Sequence, residues 1–547
     1  MGSKFDIWQK RSNKDPKNVF DVSHIIRANR NFTSADGLNY GNHGLNDACE
    51  TILQAIEQEK RIALYADYDV DGTMSCVSWM WFFNAIGFRN YLHYIPCRMS
   101  EGYGLNMKAI QHLVQNENAD VIITMDTGIT ANEEAAYCKA HGVQFICTDH
   151  HKIQPDKMPD SIIVNPKLHP DENYQELCGC GITFVLLRQL GVHFNIPNAV
   201  WTDILALTGI ATICDIVPLN QVNHKLVQLG VKALLSSKRP ILTKLREACA
   251  LEEGLDEKDV GFRVGPRINA VGRLQHADSI IRAFTDDDPE GLIQNMESCN
   301  EERKRIQGTI YEQACALALD YLDEPILFLG GPWHEGVVGI AASKIVEKHW
   351  KPTWLFKIAP EGCKGSARSI PGFDVTDAMS FAGKHFKKFG GHRAAGGFTF
   401  DPSKVEIIRE LLTEYALQKQ TETPHLWSSK IEYDCELPSS LMNLKLVDTL
   451  EDLKPFGHGF EEPRFVVAGN VKQIQFYNDK VTGQPKHTAI FLTGEHGNSQ
   501  KIMFFNETLT QLRTHSMARF LVSLSKNRFA GKTSLNVIAH DWEIADL

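Results

Sequence analysis

Four short apolar runs, RIALYA, DVIITM, VQFICT and SIIVNP, recur between residues 61 and 166. A helical pattern, SCVSWMWFFNAIG, comes after the first, and another, TANEEAAYCKAHG, after the second. Short strands that alternate with helices build a parallel sheet through right-handed crossovers, so this region predicts an α/β domain. Few other arrangements bury runs that are apolar on both faces.

Each of the first three runs gives way to polar residues. Asp67, Asp69 and Asp71 come after the first, Asp126 after the second, and Asp149, His150 and His151 after the third. Ligands of parallel α/β sheets gather beyond the carboxyl ends of the strands, which predicts that the three groups converge. An extended segment turns alternate side chains the same way, so Asp69 and Asp71 can reach one site. Asp215, at the end of the helical pattern AVWTDILALTGIATICDIV, can add a fourth contribution. Singly, each acid reads as a surface turn or a helix cap. Packed together they repel unless cations neutralise them, and oxygen ligands with one or two imidazoles suit Mn²⁺ or Mg²⁺. Two such ions sharing a carboxylate form a frame for phosphoester hydrolysis. A calcium loop is excluded, because the twelfth position after Asp67 is Ser78 rather than a bidentate Glu.

At 547 residues the chain exceeds a single core. Residues 1–58 read as an N-terminal arm with a helical end, and 59–288 as the first α/β domain. Apolar residues at 292, 296, 299, 306, 310, 317 and 321 mark one long amphipathic helix over 289–323, a connector. A second α/β region spans 324–418, with a hairpin-like stretch WLFKIAPEGCKGSARS. Alternating strands with Gly, Asn and Asp turns over 425–547 predict a small β-barrel, an OB-fold. Thirteen cysteines without CxxC pairs suit a reducing cytoplasm, and Cys178 and Cys180 lack zinc-finger spacing. No membrane span or secretion signal is expected. The net charge of −10 argues against indiscriminate nucleic-acid binding but leaves room for a locally basic groove.

The motifs DYDVDG, MDTGIT, TDHH and ICDIVPL, with VGPRINAVGRL, KGSARS, FGGHRAAGGF and PFGHGFEEPRF after them, resemble in order those of the RecJ family of DHH phosphoesterases. Departures at Thr127 and at His458-Gly459-Phe460 remove no ligand. The resemblance implies a DHH parallel-sheet domain joined by a long helix to a smaller α/β DHH-associated domain, followed by an OB-fold β-barrel. It implies hydrolysis of single-stranded DNA from the 5′ end to 5′-mononucleotides, in repair and recombination. Asp69, Asp71, Asp126, His150 and Asp215 would hold two divalent ions, Mn²⁺ or Mg²⁺, with Asp126 bridging and Asp67 accessory. Asp149 would fix the histidines, and His151 would donate to a phosphate oxygen.

Phosphate and strand contacts are expected from Arg98, Tyr103, Arg267, Asn269, Arg273, Ser366, Arg368, Gly390, Gly391 and His392. Arg takes a phosphate through paired hydrogen bonds, and Gly bares the backbone to it. Tyr103 reads equally as core. The run Lys384, Lys387 and Lys388 reads as groove lining or as the wet face of a helix. Phe465, Phe476 and Tyr477 are candidates for base stacking, with a barrel interior as the other reading. A monomer is expected, with a single-strand-binding protein or a helicase as partner. Two alternatives stay open: a phosphodiesterase for short RNA or cyclic dinucleotides, and an inactive single-strand-binding scaffold.

Overall fold

In the computed structural model, which describes residues 3–32, 44–98, 100–102, 104–171, 174–251, 255–285, 289–479, 482–493, 499–529 and 531–545, the four apolar runs are strands Ile62–Ala66, Val121–Met125, Gln144–Thr148 and Ile162–Val164. A fifth, Tyr91–Tyr94, pairs outside Ile62–Ala66 and completes an all-parallel sheet. Its YLHY carries no apolar run because an edge strand is only half-buried. Helix Val70–Ile86 is buried along nearly its whole length, which its continuous apolar sequence requires. It lies among the sheet and helices Gly179–Leu190 and Asn198–Cys214.

The connector is a 30-residue helix, Pro289–Ala318, ending in a tight turn at Leu319–Tyr321. Its first half packs on helix Gly265–Leu274 and its second on Val338–His349, so it is shared by two domains. The second sheet runs Phe386–His392, Ala395–Phe400, Gly362–Arg368, Thr353–Ala359 and Leu327–Gly331. Only the last two strands pair in parallel. Lys387 and Lys388 therefore sit on a strand, not on a helix. The polar LQKQTE stretch is the exposed end of helix Val405–Glu422 rather than a linker, because a solvated helix face carries the same residues a linker does.

Beyond it, Phe465–Asn478, Pro485–Thr493, Ser499–Phe504, Lys532–Ile544 and Met517–Phe529 close into a five-stranded barrel, the last strand pairing back on the first. The N-terminal segment is built into this unit. Ile7–Lys10 pairs in parallel with Lys430–Tyr433, and Val22 and Ile26 of helix Val19–Asn29 are buried in the barrel's core. The barrel is fastened to the first domain by Leu219 N donating to His458 O (2.7 Å), Phe456 N to Glu257 Oε1 (3.0 Å) and a Lys454–Asp256 ion pair (2.8 Å). No helix among the described residues is long and apolar enough to cross a membrane.

Candidate metal centre

Successive strand ends hydrogen-bond sideways across the sheet. Asp67 N donates to Met125 O (3.2 Å), Asp126 N to Thr148 O (3.0 Å) and Asp149 N to Val164 O (3.2 Å). That ladder sets the three acids side by side at the carboxyl edge. Asp126 adopts a left-handed conformation (φ 60°), one that Asp tolerates better than bulkier residues do. Asp69 caps helix Val70–Ile86, its carboxylate accepting from Asp71 N (2.9 Å) and Gly72 N (3.2 Å). Asp71 in turn accepts from Gly179 N (2.5 Å) and Cys180 N (2.8 Å), at the amino end of helix Gly179–Leu190. A Cβ on Gly179 would lie 2.8 Å from Asp126 Cβ, so only glycine lets that helix approach. Gly179 and Cys180 were not anticipated; the Cys-Gly-Cys-Gly run opening an apolar helix was their signal.

The groups converge. His150 Nε2 lies 3.1 Å from Asp126 Oδ1, 3.5 Å from Asp215 Oδ2 and 3.9 Å from Asp71 Oδ2. Asp67, Asp69 and Asp126 offer oxygens within 4.8 Å of one another, and so do donor atoms of Asp126, His150 and His151. Asp67 Oδ1, Asp126 Oδ1, His150 Nε2 and Asp215 Oδ2 are buried with no hydrogen-bond partner among the described residues. Burial, and then the neighbouring carboxylates, push Asp67, Asp126 and Asp215 well above the ordinary range and Asp71 to about 7. Burial, reinforced by the His151 charge, lowers His150 to about 3 and leaves it neutral, as a ligand must be. Orphaned oxygens, crowded carboxyls and one neutral imidazole together make a donor set that fits hard divalent cations.

Asp149 does something different. It accepts from His151 Nδ1 (2.7 Å), His151 N (3.0 Å) and Ile129 N (2.9 Å). Burial disfavours its charge, yet the bonds from His151 and the charges of His151 and His150 together outweigh that and hold it below the ordinary carboxylate range. His151 is raised despite burial, because Asp149 holds its proton. His392, on the hairpin of the second α/β domain, faces His151 with ring centroids 6.2 Å apart and planes 7° from parallel.

Beside the acids lies a patch of opposite sign. Arg273 is lowered to about 9 by burial and then by the charges of Arg98 and Arg368, with Arg303 adding to the effect. Arg368 is lowered to about 10 by burial and Arg98. None of these four arginines is ion-paired with a carboxylate among the described residues. Arg98 lies over the Tyr68 ring (5.1 Å), and Arg273 donates to Gly336 O (3.2 Å), linking helix Gly265–Leu274 to the second α/β domain. Ser366 and Arg368 alternate on one face of their strand, and a Cβ on Gly339, in the first turn of helix Val338–His349, would lie 3.1 Å from Ser366 Oγ and 2.9 Å from Arg368 Nη2. Arg303 was not anticipated. Its signal was legible: Lys304 and Arg305 pair with Glu301 and Glu302, whereas Arg303 donates to the side-chain amides of Asn300 (2.5 Å) and Gln307 (2.8 Å) and bonds no carboxylate among the described residues.

Other expected contacts fall elsewhere. Arg267 is held by Glu297, Arg263 O and Ala248 O, so its guanidinium is tied to the connector rather than to the cluster. Asn269 is half-buried one turn before Arg273. Gly391 (φ 145°) serves its hairpin, where a Cβ would collide with Ala395 O, while Gly390 leaves its backbone bare. Phe465 is barrel interior, whereas Phe476 is exposed and Tyr477 lies under Lys501. Tyr103 lies outside the described residues. The Cys178 and Cys180 thiols contact Thr212 and Thr208, Cys178 also hydrogen-bonds Asp71, and neither thiol belongs to a group of candidate metal ligands among the described residues.

Residues 61–212 match the DHH family, N-terminal domain; 323–418 match the DHHA1 domain and 433–541 the RecJ OB domain. The single-stranded-DNA-specific exonuclease RecJ of Bacillus subtilis is 32% identical over 83% of this chain, which spans 58% of that relative's length. The crystal structure of RecJ in complex with Mn²⁺ from Thermus thermophilus superposes with a TM-score of 0.85 at 25% identity, covering 99% of this chain and 80% of that one. A crystal structure of exonuclease RecJ bound to manganese gives 0.62 at 30% identity, covering 70% of this chain and 97% of that one.

Proposed function

The chain belongs to the RecJ family, and from that premise we propose that it is a metal-dependent exonuclease that removes 5′-mononucleotides from single-stranded DNA. Asp69, Asp71, Asp126, His150 and Asp215 would hold a pair of divalent cations, Mn²⁺ or Mg²⁺, with Asp126 shared and Asp67 accessory. When bound, such ions supply Lewis-acid polarisation of the phosphodiester and a water that ionises near neutral pH. The chain's own groups do the rest. His151, kept protonated and oriented by Asp149, donates to a non-bridging oxygen of the scissile phosphate, with His392 closing the same face. Gly390 and Ser366 offer polar backbone and hydroxyl contacts to the strand.

One observation carries the polarity: four guanidiniums without carboxylate partners among the described residues, Arg273 and Arg368 half-buried among them, stand beside the acidic cluster. Guanidiniums gathered without a carboxylate bonded to them favour an anion between them, and a doubly charged one more than a singly charged one. A terminal 5′-phosphate is such an anion, while an internal phosphodiester carries a single charge. Arg98, Arg273, Arg303, Ser366 and Arg368 would seat it beside the acidic cluster. In the cell the strand would be supplied by a helicase or a single-strand-binding protein. The thirteen free thiols support a reducing cytoplasm, with the chain acting as a monomer.

The test uses single strands labelled at either end, with and without a 5′-phosphate, beside a duplex and a cyclic dinucleotide. Release should begin at the 5′ end of the phosphorylated strand. Arg368→Ala should cut the rate on that strand by about 10- to 100-fold and on the 5′-hydroxyl strand much less, as loss of a charged hydrogen-bond partner implies. Equal losses on both strands, or release from the 3′ end, would overturn the assignment.

A further inference from the structure

Phe262 is the most exposed large apolar side chain among the described residues, at 80%, although Val260 and Val264 beside it are buried. It sits in a π-helical segment, Val260–Val264, that runs directly into helix Gly265–Leu274. Wide turns of this kind cost hydrogen-bond geometry and recur at functional sites. The segment packs on the carboxyl end of helix Asn198–Cys214: a Cβ on Gly261 would lie 3.4 Å from Ile213, and one on Gly265 would collide with Cys214 Sγ. Asp215 of the acidic cluster caps that end. Ile216 comes next in a left-handed conformation (φ 58°), itself 69% exposed. A β-branched residue there is strained, and such strain persists where surroundings or function demand it.

Both exposed apolar side chains belong to the segments that meet at the end of helix Asn198–Cys214. On one side stand the acids; on the other, Leu219, Asp256 and Glu257 grip the loop 454–458 that seats the barrel. Toward the other end of the same helical rod, Arg273 joins the guanidinium cluster, roughly 16 Å away at about 1.5 Å per residue. A strand anchored at the guanidiniums, cut at the acids and continuing toward the barrel would pass Ile216 and Phe262 within a few nucleotides.

We infer that Phe262 is a base-stacking platform that grips an unpaired base just downstream of the cut, and so selects single strands. This rests on the exonuclease reading above. A base inside a duplex has its faces covered by its neighbours and cannot stack on a side chain, whereas an unpaired base can, whatever its identity.

The test is strand binding by fluorescence anisotropy in EDTA, with an oligo-dT and a set of oligo-dT strands carrying one abasic residue at successive positions from the 5′ end. Stacking on an aromatic side chain is worth on the order of tenfold in affinity per base. The wild-type protein should lose about tenfold at one or two downstream positions. Phe262→Ala should bind the intact strand about tenfold more weakly and lose nothing further at those positions. Phe262→Trp should restore both the affinity and the abasic penalty, which a merely structural role would not produce. Wild-type affinity in Phe262→Ala, or an abasic penalty that survives in it, would overturn the inference and leave the exonuclease reading standing; a surface made for a protein partner gives that result. Failure of the wild-type protein to bind any single strand would overturn both.

Discussion

Asp126→Asn is expected to lower hydrolysis at least about a thousandfold while making the ion-free protein more stable. The two effects have one cause. Asp126 is buried at the centre of the cluster, 3.1 Å from His150 Nε2, and the charges of Asp71, Asp69, Asp215 and Asp67 all oppose its ionisation. Ions held there contribute several kcal/mol to stabilising the transition state, and about 1.4 kcal/mol is a decade in rate. Without ions the same carboxylates only repel, and removing one relieves the rest.

The same repulsion sets the sign of the pH dependence. Asp71 is raised on folding from 3.8 to about 7, chiefly by burial and then by Asp69. A carboxyl raised in this way contributes stability that is full below its unfolded pKa and lost as pH rises through its folded one. In EDTA the wild-type melting midpoint should therefore fall between pH 3.8 and about 7. The fall should be smaller in Asp126→Asn, where fewer charges press on Asp71. Saturating Mn²⁺ should raise the wild-type midpoint near neutral pH, since about 2.7 kcal/mol accrues at a hundred times Kd. Asp126→Asn should lose most of that gain. Thermal melts across pH, with and without Mn²⁺, check all of this; a less stable Asp126→Asn in EDTA would contradict a repulsive cluster.

Asp434→Ala should unfold the N-terminal helix and barrel unit early, at a cost of about 3–5 kcal/mol, the range for an ion left buried and unpaired. Arg30 and Asp434 are 2% and 1% exposed and pair through two bonds, 2.5 and 3.1 Å. Arg30 also donates to Glu461 O (2.9 Å) and lies 5.5 Å from the Phe460 ring, while Asn29 donates to Asp434 Oδ1 (3.1 Å). The pair thus ties helix Val19–Asn29 to the start of the barrel and to the loop that seats it. Removing both ions together, as in Arg30→Met with Asp434→Leu, should cost far less than the sum of the single changes, because no charge is stranded. Urea melts followed by barrel-specific proteolysis separate the outcomes. Additive single effects would show that the pair is not coupled.

Much of the site was legible in one dimension. The acids after RIALYA, DVIITM and VQFICT end up together because a parallel sheet puts all carboxyl ends on one edge, and a short apolar run reveals its own end. Asp215 was readable for the same reason, as the cap of a helix whose apolar run stops at Cys214. The connector helix, the hairpin over 353–368 and the alternating strands of the barrel carried their periods openly. The N-terminal segment did not: Val22 and Ile26 show an apolar stripe, but nothing local says that the stripe faces residues more than 400 positions away.

What the chain's order determined by itself, then, was each element and the acids at its end, since periodicity and strand termini are encoded within a few neighbouring residues. Which arginine is left without a carboxylate partner among the described residues was decided only in three dimensions. Arg267 and Arg273 lie on the same helix in the same motif, yet Arg267 meets Glu297 while Arg273 meets other arginines. A guanidinium's role depends on the charges that distant segments bring within a few ångströms, and Coulomb energy depends on separation in space, not along the chain.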